Sequence, residues 1–311
     1  MLMTALDTLY HKVEKYGNVC VGLDTALEYL PHPLIAAAYD PMQAILNYNC
    51  AVVDATEDIT ACYKVQIAYY EALGLKGLEL YAKTLSYIRF KKLLIIADVK
   101  RGDIADTAAR YAKAHYSGDF EADFVTLSAY MGMDSLAPWV SAAQESGKGA
   151  FVLMRTSNAG RQDFQCQKLL AGGSVYEAVG DKLRALASSC RGECGYALFG
   201  AVVGCTESEE AAAIRKRYKD LFFLIPGYGV QGGGGKEAAL LLDGRGNGGV
   251  VNASRAVLKA WKKNERIEGM GKREALLGAM EEVRSFVVTM RDDIRDAVEV
   301  LLSKEEIHAK R

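Results

Sequence analysis

The chain has 311 residues, half of them hydrophobic, which is enough to bury a large core. Its 38 lysines and arginines nearly balance 39 aspartates and glutamates, so the net charge is −1. That balance excludes a broad electrostatic footprint for nucleic acid or for an anionic membrane, although a local basic pocket remains compatible with it.

The cysteines and the N-terminal segment indicate the compartment. Seven cysteines are scattered through the chain, and only Cys190 and Cys194 lie close together, with no second pair to complete a zinc site. We expect them to be reduced core residues. The N-terminal segment mixes charges into an amphipathic pattern, and no apolar run approaches the roughly 20 residues of a membrane helix. These features predict a cytoplasmic protein that does not contact membranes.

Short apolar runs alternate with amphipathic helical patterns along the chain. The predicted strands lie near Asn18–Asp24, Ala61–Ile67, Leu93–Asp98, Asp123–Ser128, Ala150–Met154, Tyr196–Val203, Leu221–Ile225 and Gly249–Asn252. The predicted helical segments are Pro41–Asp58, Gly77–Arg89, Ile104–His115, Ser135–Ser146, Val175–Cys190, Glu207–Lys219 and Lys236–Asp243. Strand and helix alternation without a block of strands predicts an α/β fold with a parallel sheet.

Eight such units in a chain of this length favour a (β/α)8 TIM barrel, with an extended loop after strand 5. An open, doubly wound sheet is the alternative. The segment from Ala256 to Arg311 is strongly charged, and we expect extra C-terminal helices there, packed outside the barrel. No linker rich in proline, glycine or serine divides the sequence, so residues 1–311 are predicted to form a single domain.

The most informative stretch runs from Leu93 to Thr107. Five apolar residues predict a strand buried on both faces, and Asp98, Lys100 and Asp103 follow at its carboxyl end. Because side chains alternate along a strand, Asp98 and Lys100 project to the same side. A purely structural interpretation is also open. Asp98 and Lys100 would then form an ordinary ion pair, and Asp103 would cap the next helix together with Asp106.

Polar residues also follow the other predicted strands, at the end of a TIM barrel that carries the reactive groups. They are Asp24 after the first strand, Lys64 and Gln66 in the second, Thr156, Ser157 and Asn158 after the fifth, Gln231 after the seventh, and Asn252, Ser254 and Arg255 after the eighth. Lys64 stands in an apolar run, where an ammonium is costly unless it is paired. Asp98 on the neighbouring strand is its expected partner.

The loop Pro226–Gly235 contains a Gly-x-Gly-x-x-Gly pattern and four successive glycines. We reject a dinucleotide site, because the pattern lies in the seventh unit and no acidic residue follows about 20 positions later. The glycines offer backbone N–H groups to an anion, and Arg255 adds a guanidinium at the usual phosphate site of these barrels. A merely flexible loop is the alternative.

The run Asp98-x-Lys100-x-x-Asp103 resembles the signature of orotidine 5′-phosphate decarboxylases. Four further features carry the same resemblance, which covers Val19 to Lys259: Lys64, Gly22-Leu-Asp24, the Pro226–Gly235 loop with Gln231, and Arg255. The segments Met131–Trp139 and Thr156–Asn158 are similar to the longer branch of that family. The resemblance implies decarboxylation of orotidine 5′-phosphate to uridine 5′-phosphate, the last step of de novo synthesis of that nucleotide, without metal or cofactor.

The resemblance also implies roles for single residues. Lys64, Asp98, Lys100 and Asp103 would be catalytic. Lys100 would stabilise and protonate the carbanion left at C6, and Asp98 and Asp103 would hold its ammonium. Substrate would be bound by Asp24 at the ribose, by Ser157 and Gln231 at the pyrimidine, and by Gly232 and Arg255 at the phosphate. A homodimer is implied, in which Asp103 and Thr107 reach into the partner's site.

Three other functions compete with this interpretation. A Schiff-base aldolase needs a neutral lysine, whereas flanking carboxylates favour the ammonium. A Mg²⁺-dependent sugar-phosphate lyase of the same superfamily would use the aspartates as ligands, and Lys64 would repel the metal. A non-catalytic sensor of a phosphate ligand has no need of alternating charges beside the ligand's ring.

Overall fold

The eight predicted apolar runs form β-strands that close into a barrel of eight parallel strands in sequence order. The strands are β1 (Val19–Gly22), β2 (Cys62–Gln66), β3 (Ile95–Arg101), β4 (Phe124–Ser128), β5 (Gly149–Arg155), β6 (Phe199–Val203), β7 (Phe223–Pro226) and β8 (Gly249–Ala253). The computed structural model describes residues 3–187, 190–204, 208–229 and 233–309. The closed topology confirms the predicted TIM barrel and overturns the open-sheet alternative.

Helices alternate with the strands around the barrel. They are α1 (Ala5–Tyr16), α2 (His32–Ala36), α3 (Pro41–Thr56), α4 (Ala68–Glu71), α5 (Gly74–Phe90), α6 (Ala105–Tyr116), α7 (Ala137–Ser146), α8 (Val175–Ala187), α9 (Ser208–Arg217), α10 (Gly235–Ala239), α11 (Arg255–Leu258) and α12 (Lys272–Ala309). Within the described ranges, no helix is both long enough and apolar enough to cross a membrane.

The strands are apolar because both of their faces are covered, as is usual in parallel sheets. Every residue of β1, β6 and β8 is buried. In the barrel wall, the rings of Phe124 on β4 and Phe151 on β5 pack with their centroids 5.3 Å apart. The packed wall leaves the carboxyl ends of the strands as the place where polar side chains gather.

The predicted C-terminal helices are present as α11 and α12. Helix α12 presents one buried stripe, and these residues recur every three or four positions: Ala275, Ala279, Val283, Val287, Met290 and Ile294. It packs against α3 and α10 on the outside of the barrel. The extended loop predicted after strand 5 covers residues 156–174 and contains a short 3-10 turn, Ala159–Asp163.

Several element boundaries differ from the prediction, and those of β3 and β6 have identifiable reasons. Strand β3 continues to Arg101 because its backbone is held past Asp98 by hydrogen bonds to β4. Strand β6 begins only at Phe199, since Ala197 pairs with Arg191 in an isolated antiparallel bridge instead. The segment predicted as Lys236–Asp243 forms only the short α10, which ends at Ala239.

Candidate active site

Four side chains form a row of alternating charge at the carboxyl end of β1, β2 and β3. The ammonium of Lys64 donates to Asp24 Oδ1 and to Asp98 Oδ2, both at 3.0 Å. The ammonium of Lys100 donates to Asp98 Oδ1 at 2.6 Å. The expected pairing of Lys64 with Asp98 is therefore confirmed, and Asp24 is a second partner that the sequence did not indicate.

The barrel register explains why these residues meet. Lys64 is opposite Gly22 on β1 and Ile96 on β3. Asp98 lies two residues beyond Ile96, so its side chain points to the same side as the lysine and is its diagonal neighbour. Register and side-chain alternation thus place the Lys64 ammonium between the carboxylates of Asp24 and Asp98.

Burial strengthens the interactions between the charged groups of this row. The side chain of Lys64 is 6% exposed, and that of Asp98 is 10% exposed. Burial alone lowers the pKa of Lys64, but the carboxylates of Asp24 and Asp98 outweigh it and hold that pKa above its usual value. Burial likewise raises the pKa of Asp98, and the ammonium groups of Lys64 and Lys100 reverse the effect and hold it below its usual range. Both groups are consequently charged at neutral pH.

Lys100 occupies an unusual backbone conformation. Its φ is +44°, in the left-handed region that non-glycine residues rarely adopt. The N–H groups of Val99 and Lys100 both donate to the hydroxyl oxygen of Thr126, at 3.0 and 2.9 Å. The same hydroxyl donates to Asp98 Oδ1 at 2.9 Å. Thr126 was missed by sequence reasoning, because a threonine in a strand is ordinary and only the β3–β4 register reveals its position.

Asp103 and Thr107 lie outside the row in the single chain. The Asp103 carboxylate accepts a hydrogen bond from the Ile104 N–H at 2.9 Å, and Thr107 is exposed. Among the described residues, the ion-pair partner of Lys100 is Asp98. The alternative in which Asp103 caps the helix with Asp106 is wrong, since Ile104 occupies the cap position and α6 begins at Ala105.

Three members of the charged row, Asp24, Lys64 and Asp98, line a cavity of about 240 Å³ at the carboxyl end of the barrel. The remaining lining comes from the ends of β5, β7 and β8: Ser157, Pro226, Gly227, Tyr228, Asn252, Ala253, Ser254 and Arg255. Asp24, Ser157 and Arg255, which sequence reasoning selected from three separate strands, are thus brought to one cavity with Lys64 and Asp98. A larger cavity of about 770 Å³ is lined mainly by α9, the segment 239–245 and the C-terminal part of α12, and none of the predicted site residues lines it.

The glycine loop is partly engaged by carboxylates. Gly234 N–H donates to Glu237 Oε2 at 2.9 Å, and Gly235 N–H donates to Asp293 Oδ2 at 2.7 Å. The Asp293 carboxylate also accepts the Tyr228 hydroxyl at 2.8 Å. These two amides are therefore not the anion donors that the run of glycines suggested. Gln231 and Gly232, the predicted substrate contacts in this loop, lie outside the described residues.

The Ser157 loop is held by two residues that sequence reasoning missed. Arg155 at the end of β5 is buried, and it pairs with Glu210 of α9 and donates to the Gly204 carbonyl. A Cβ at Gly204 would stand 2.8 Å from the Ser157 backbone nitrogen, so only glycine allows this approach. Neither residue carries a sequence signal, because their significance depends on the contact between two loops.

Comparison with known proteins agrees with this site. Residues 17–270 match the model of the orotidine 5′-phosphate decarboxylase / HUMPS family. The chain belongs to this family. It is 51% identical over 290 residues to the orotidine 5′-phosphate decarboxylase of Clostridium acetobutylicum, covering 93% of this chain and 98% of that protein.

Two solved structures are similar in both fold and sequence. The OMP decarboxylase of Leishmania donovani has a TM-score of 0.68 and 28% identity, covering 92% of this chain and 99% of that one. The UMP synthase of the same organism has a TM-score of 0.70 and 30% identity. That match covers 92% of this chain but 57% of the synthase, so the present chain corresponds to part of the longer protein. The decarboxylase-family match includes the whole charged row, whereas Asp293 lies beyond it.

Proposed function

We propose that this chain catalyses the decarboxylation of orotidine 5′-phosphate to uridine 5′-phosphate, the last step of de novo synthesis of that nucleotide. The observation that carries the proposal is the row Asp24–Lys64–Asp98–Lys100, whose first three members line one cavity together with Arg255. Family membership supports the same activity. We further propose that the entire chain acts as one decarboxylase domain in the cytoplasm.

In the proposed reaction, the bond between C6 and the carboxylate breaks, and its electron pair stays on C6 as CO₂ leaves. No carbonyl is placed to delocalise that pair, so the protein must stabilise it electrostatically. The Lys100 ammonium supplies a fixed positive charge next to C6 and then gives C6 its proton. Since these groups can perform each step, we propose that the reaction needs no metal or cofactor.

The surrounding charges hold Lys100 for this task. Asp98 Oδ1 accepts from Lys100, while Oδ2 accepts from Lys64, so the carboxylate is fixed at both oxygens. Lys64 in turn fixes Asp24, which we propose contacts the ribose. Because these groups are already oriented, little reorganisation is required when charge develops at C6. Binding energy from the phosphate would help to hold the reacting end of the substrate beside Lys100.

We propose that the substrate is bound by residues that follow β5, β7 and β8. Arg255 would hold the phosphate through its planar guanidinium, with Gly232 of the glycine loop. Ser157 and Gln231 would contact the edge of the pyrimidine. The placement of Arg255 and Ser157 in the same cavity as Asp24, Lys64 and Asp98 supports these two assignments.

We propose that the active unit is a homodimer with Asp103 and Thr107 donated to the partner's site. Two features support this. The Lys100 side chain is 47% exposed in a single chain, which leaves room for a further group. Large apolar side chains are exposed in the segments that follow β3, β4 and β5, and they are Ile104, Tyr111, Tyr130, Met131, Phe164 and Leu170. Burying this surface against a second copy would bring Asp103 and Thr107 of one copy close to the charged row of the other.

The activity is tested by adding orotidine 5′-phosphate to the purified protein and following the loss of its ultraviolet absorbance. We expect turnover that EDTA does not change. Absence of turnover would refute the activity. Turnover that stops with EDTA and returns with Mg²⁺ would instead support metal-dependent chemistry.

The shared site is tested by mixing two inactive variants, Lys100→Ala and Asp103→Asn. Random exchange of subunits gives one intact site in each mixed dimer, and hence about a quarter of the wild-type activity. No recovery after confirmed subunit exchange would contradict the donation of Asp103.

A further inference from the structure

One threonine in the barrel wall forms hydrogen bonds both to the Asp98 carboxylate and to the backbone of β3 at Lys100. The proposed reaction uses both of these residues. Thr126 lies on β4 and is 1% exposed. Its hydroxyl donates to Asp98 Oδ1 and accepts from the N–H groups of Val99 and Lys100. A hydroxyl has one proton and two lone pairs, so all of its hydrogen-bonding capacity is used here.

The two accepted bonds hold an irregular piece of backbone. The pairing of β3 with β4 shifts register between Ala97 and Arg101. At this shift Lys100 adopts its positive φ of 44°. A non-glycine residue keeps such a conformation only when its surroundings hold it there. The Thr126 hydroxyl provides the acceptor for both N–H groups on the approach to that residue.

The donated bond acts on the carboxylate that holds the Lys100 ammonium. Asp98 Oδ1 receives Lys100 Nζ at 2.6 Å and Thr126 Oγ1 at 2.9 Å, while Oδ2 receives Lys64 Nζ. The rotation of the carboxylate is therefore set by three donors from three strands. Thr126 is the only one of the three that also bonds the backbone of Lys100.

We propose that Thr126 is a positioning residue for the decarboxylation, acting through Asp98 and Lys100 rather than on the substrate. This proposal rests on the proposed function for its kinetic consequence. One hydroxyl ties the carboxylate and the lysine backbone into a single hydrogen-bonded unit. Without that hydroxyl, the backbone at Lys100 is free to return to an extended conformation, and the ammonium moves away from its place beside C6.

The test compares the kinetic constants and the crystal structures of three variants. Thr126→Val keeps the branched shape and removes the hydroxyl, whereas Thr126→Ser keeps the hydroxyl. Thr60→Val is the matched control, because Thr60 is a buried threonine whose hydroxyl has no hydrogen-bond partner among the residues described. Rates are expressed per molecule able to bind uridine 5′-phosphate, which removes any loss of folded protein.

We expect kcat of Thr126→Val to fall by ~10- to 100-fold. KM should change little, because the proposed phosphate contact, Arg255, is untouched. Thr126→Ser and Thr60→Val should stay near the wild-type kcat. In the crystal, Thr126→Val should lose the positive φ of Lys100 or its ion pair with Asp98. If the valine variant does not fold, Thr126→Ala against Thr126→Ser makes the same comparison.

The proposal is overturned if Thr126→Val retains the wild-type kcat, or if its crystal structure keeps both the Lys100 conformation and the pair with Asp98. Failure of the wild-type protein to act on orotidine 5′-phosphate is a different outcome. It would refute the proposed function, while the crystal structures would still decide whether Thr126 holds Lys100 in place.

Discussion

Replacing Lys64 with methionine removes the cation between Asp24 and Asp98 and leaves a side chain of similar length. The lysine is 6% exposed, and it is 3.0 Å from an oxygen of each carboxylate. Removing one partner of a buried ion pair typically costs about 3–5 kcal/mol, because the remaining charge stays buried without compensation. Asp98 keeps Lys100 and Thr126 as partners, so we expect a loss in the free energy of unfolding of ~3 kcal/mol near neutral pH.

The sign of the pH dependence follows from the carboxylates. In the wild-type protein the lysines hold the pKa of Asp98 below its usual range, so its stabilising contribution is present at neutral pH and is lost only in strong acid. Without Lys64 that pKa rises, and the carboxyl group can relieve the penalty by taking up a proton. The difference between variant and wild type should therefore shrink as the pH falls toward about 4.

Urea unfolding at about pH 8 and about pH 5 measures this difference. Lys91→Met is the matched control, since Lys91 also lies between two carboxylates, Asp54 at 2.9 Å and Glu57 at 3.0 Å, but on the surface. Solvent screens that cluster, so its removal should have much less effect at either pH. If Lys64→Met destabilises the protein no more than Lys91→Met, our account of the buried row is wrong.

Three further changes test other parts of the structure. Burial lowers the pKa of His115 to about 4. The free energy of unfolding should therefore fall by at most ~3 kcal/mol as the pH drops from about 6.5 toward about 4. In urea unfolding, His115→Phe should abolish this pH dependence. An unchanged pH dependence would contradict this. Gly204→Ala places a Cβ 2.8 Å from the Ser157 backbone nitrogen and should raise KM for the nucleotide several-fold; a wild-type KM would show that Ser157 need not stay in place. Asp293→Ala removes the acceptor of Tyr228 and of the first amide of α10, and KM should rise more than in Tyr228→Phe, which loses one bond. Equal KM values for Asp293→Ala and the wild type would refute a role in holding the loop.

The sequence was sufficient to predict the architecture because each strand is an apolar run bounded by polar residues. The closed barrel follows from eight such runs at regular spacing, and the structure confirms it. Boundaries were less certain where a side chain or an isolated bridge replaces regular pairing. Strand β3 passes beyond Asp98 because of Thr126, and β6 starts late because Ala197 pairs elsewhere. Neither effect has a periodic signature.

The charged row was largely predictable because a lysine inside an apolar strand demands a partner. The structure brings Lys64, Asp98 and Lys100 together as expected, and it adds Asp24 to the row. Residues that act through packing between distant segments could not be predicted. Thr126 depends on strand register, and Asp293 depends on where a long helix outside the barrel passes the glycine loop.

The most direct test of the account is the turnover of Lys100→Ala with orotidine 5′-phosphate under single-turnover conditions. The account predicts that the variant still binds uridine 5′-phosphate but forms product at least ~1000-fold more slowly than the wild type, because the charge beside C6 and its proton donor are both removed. Product formation at close to the wild-type rate would contradict the central claim that the Lys100 ammonium carries the chemistry.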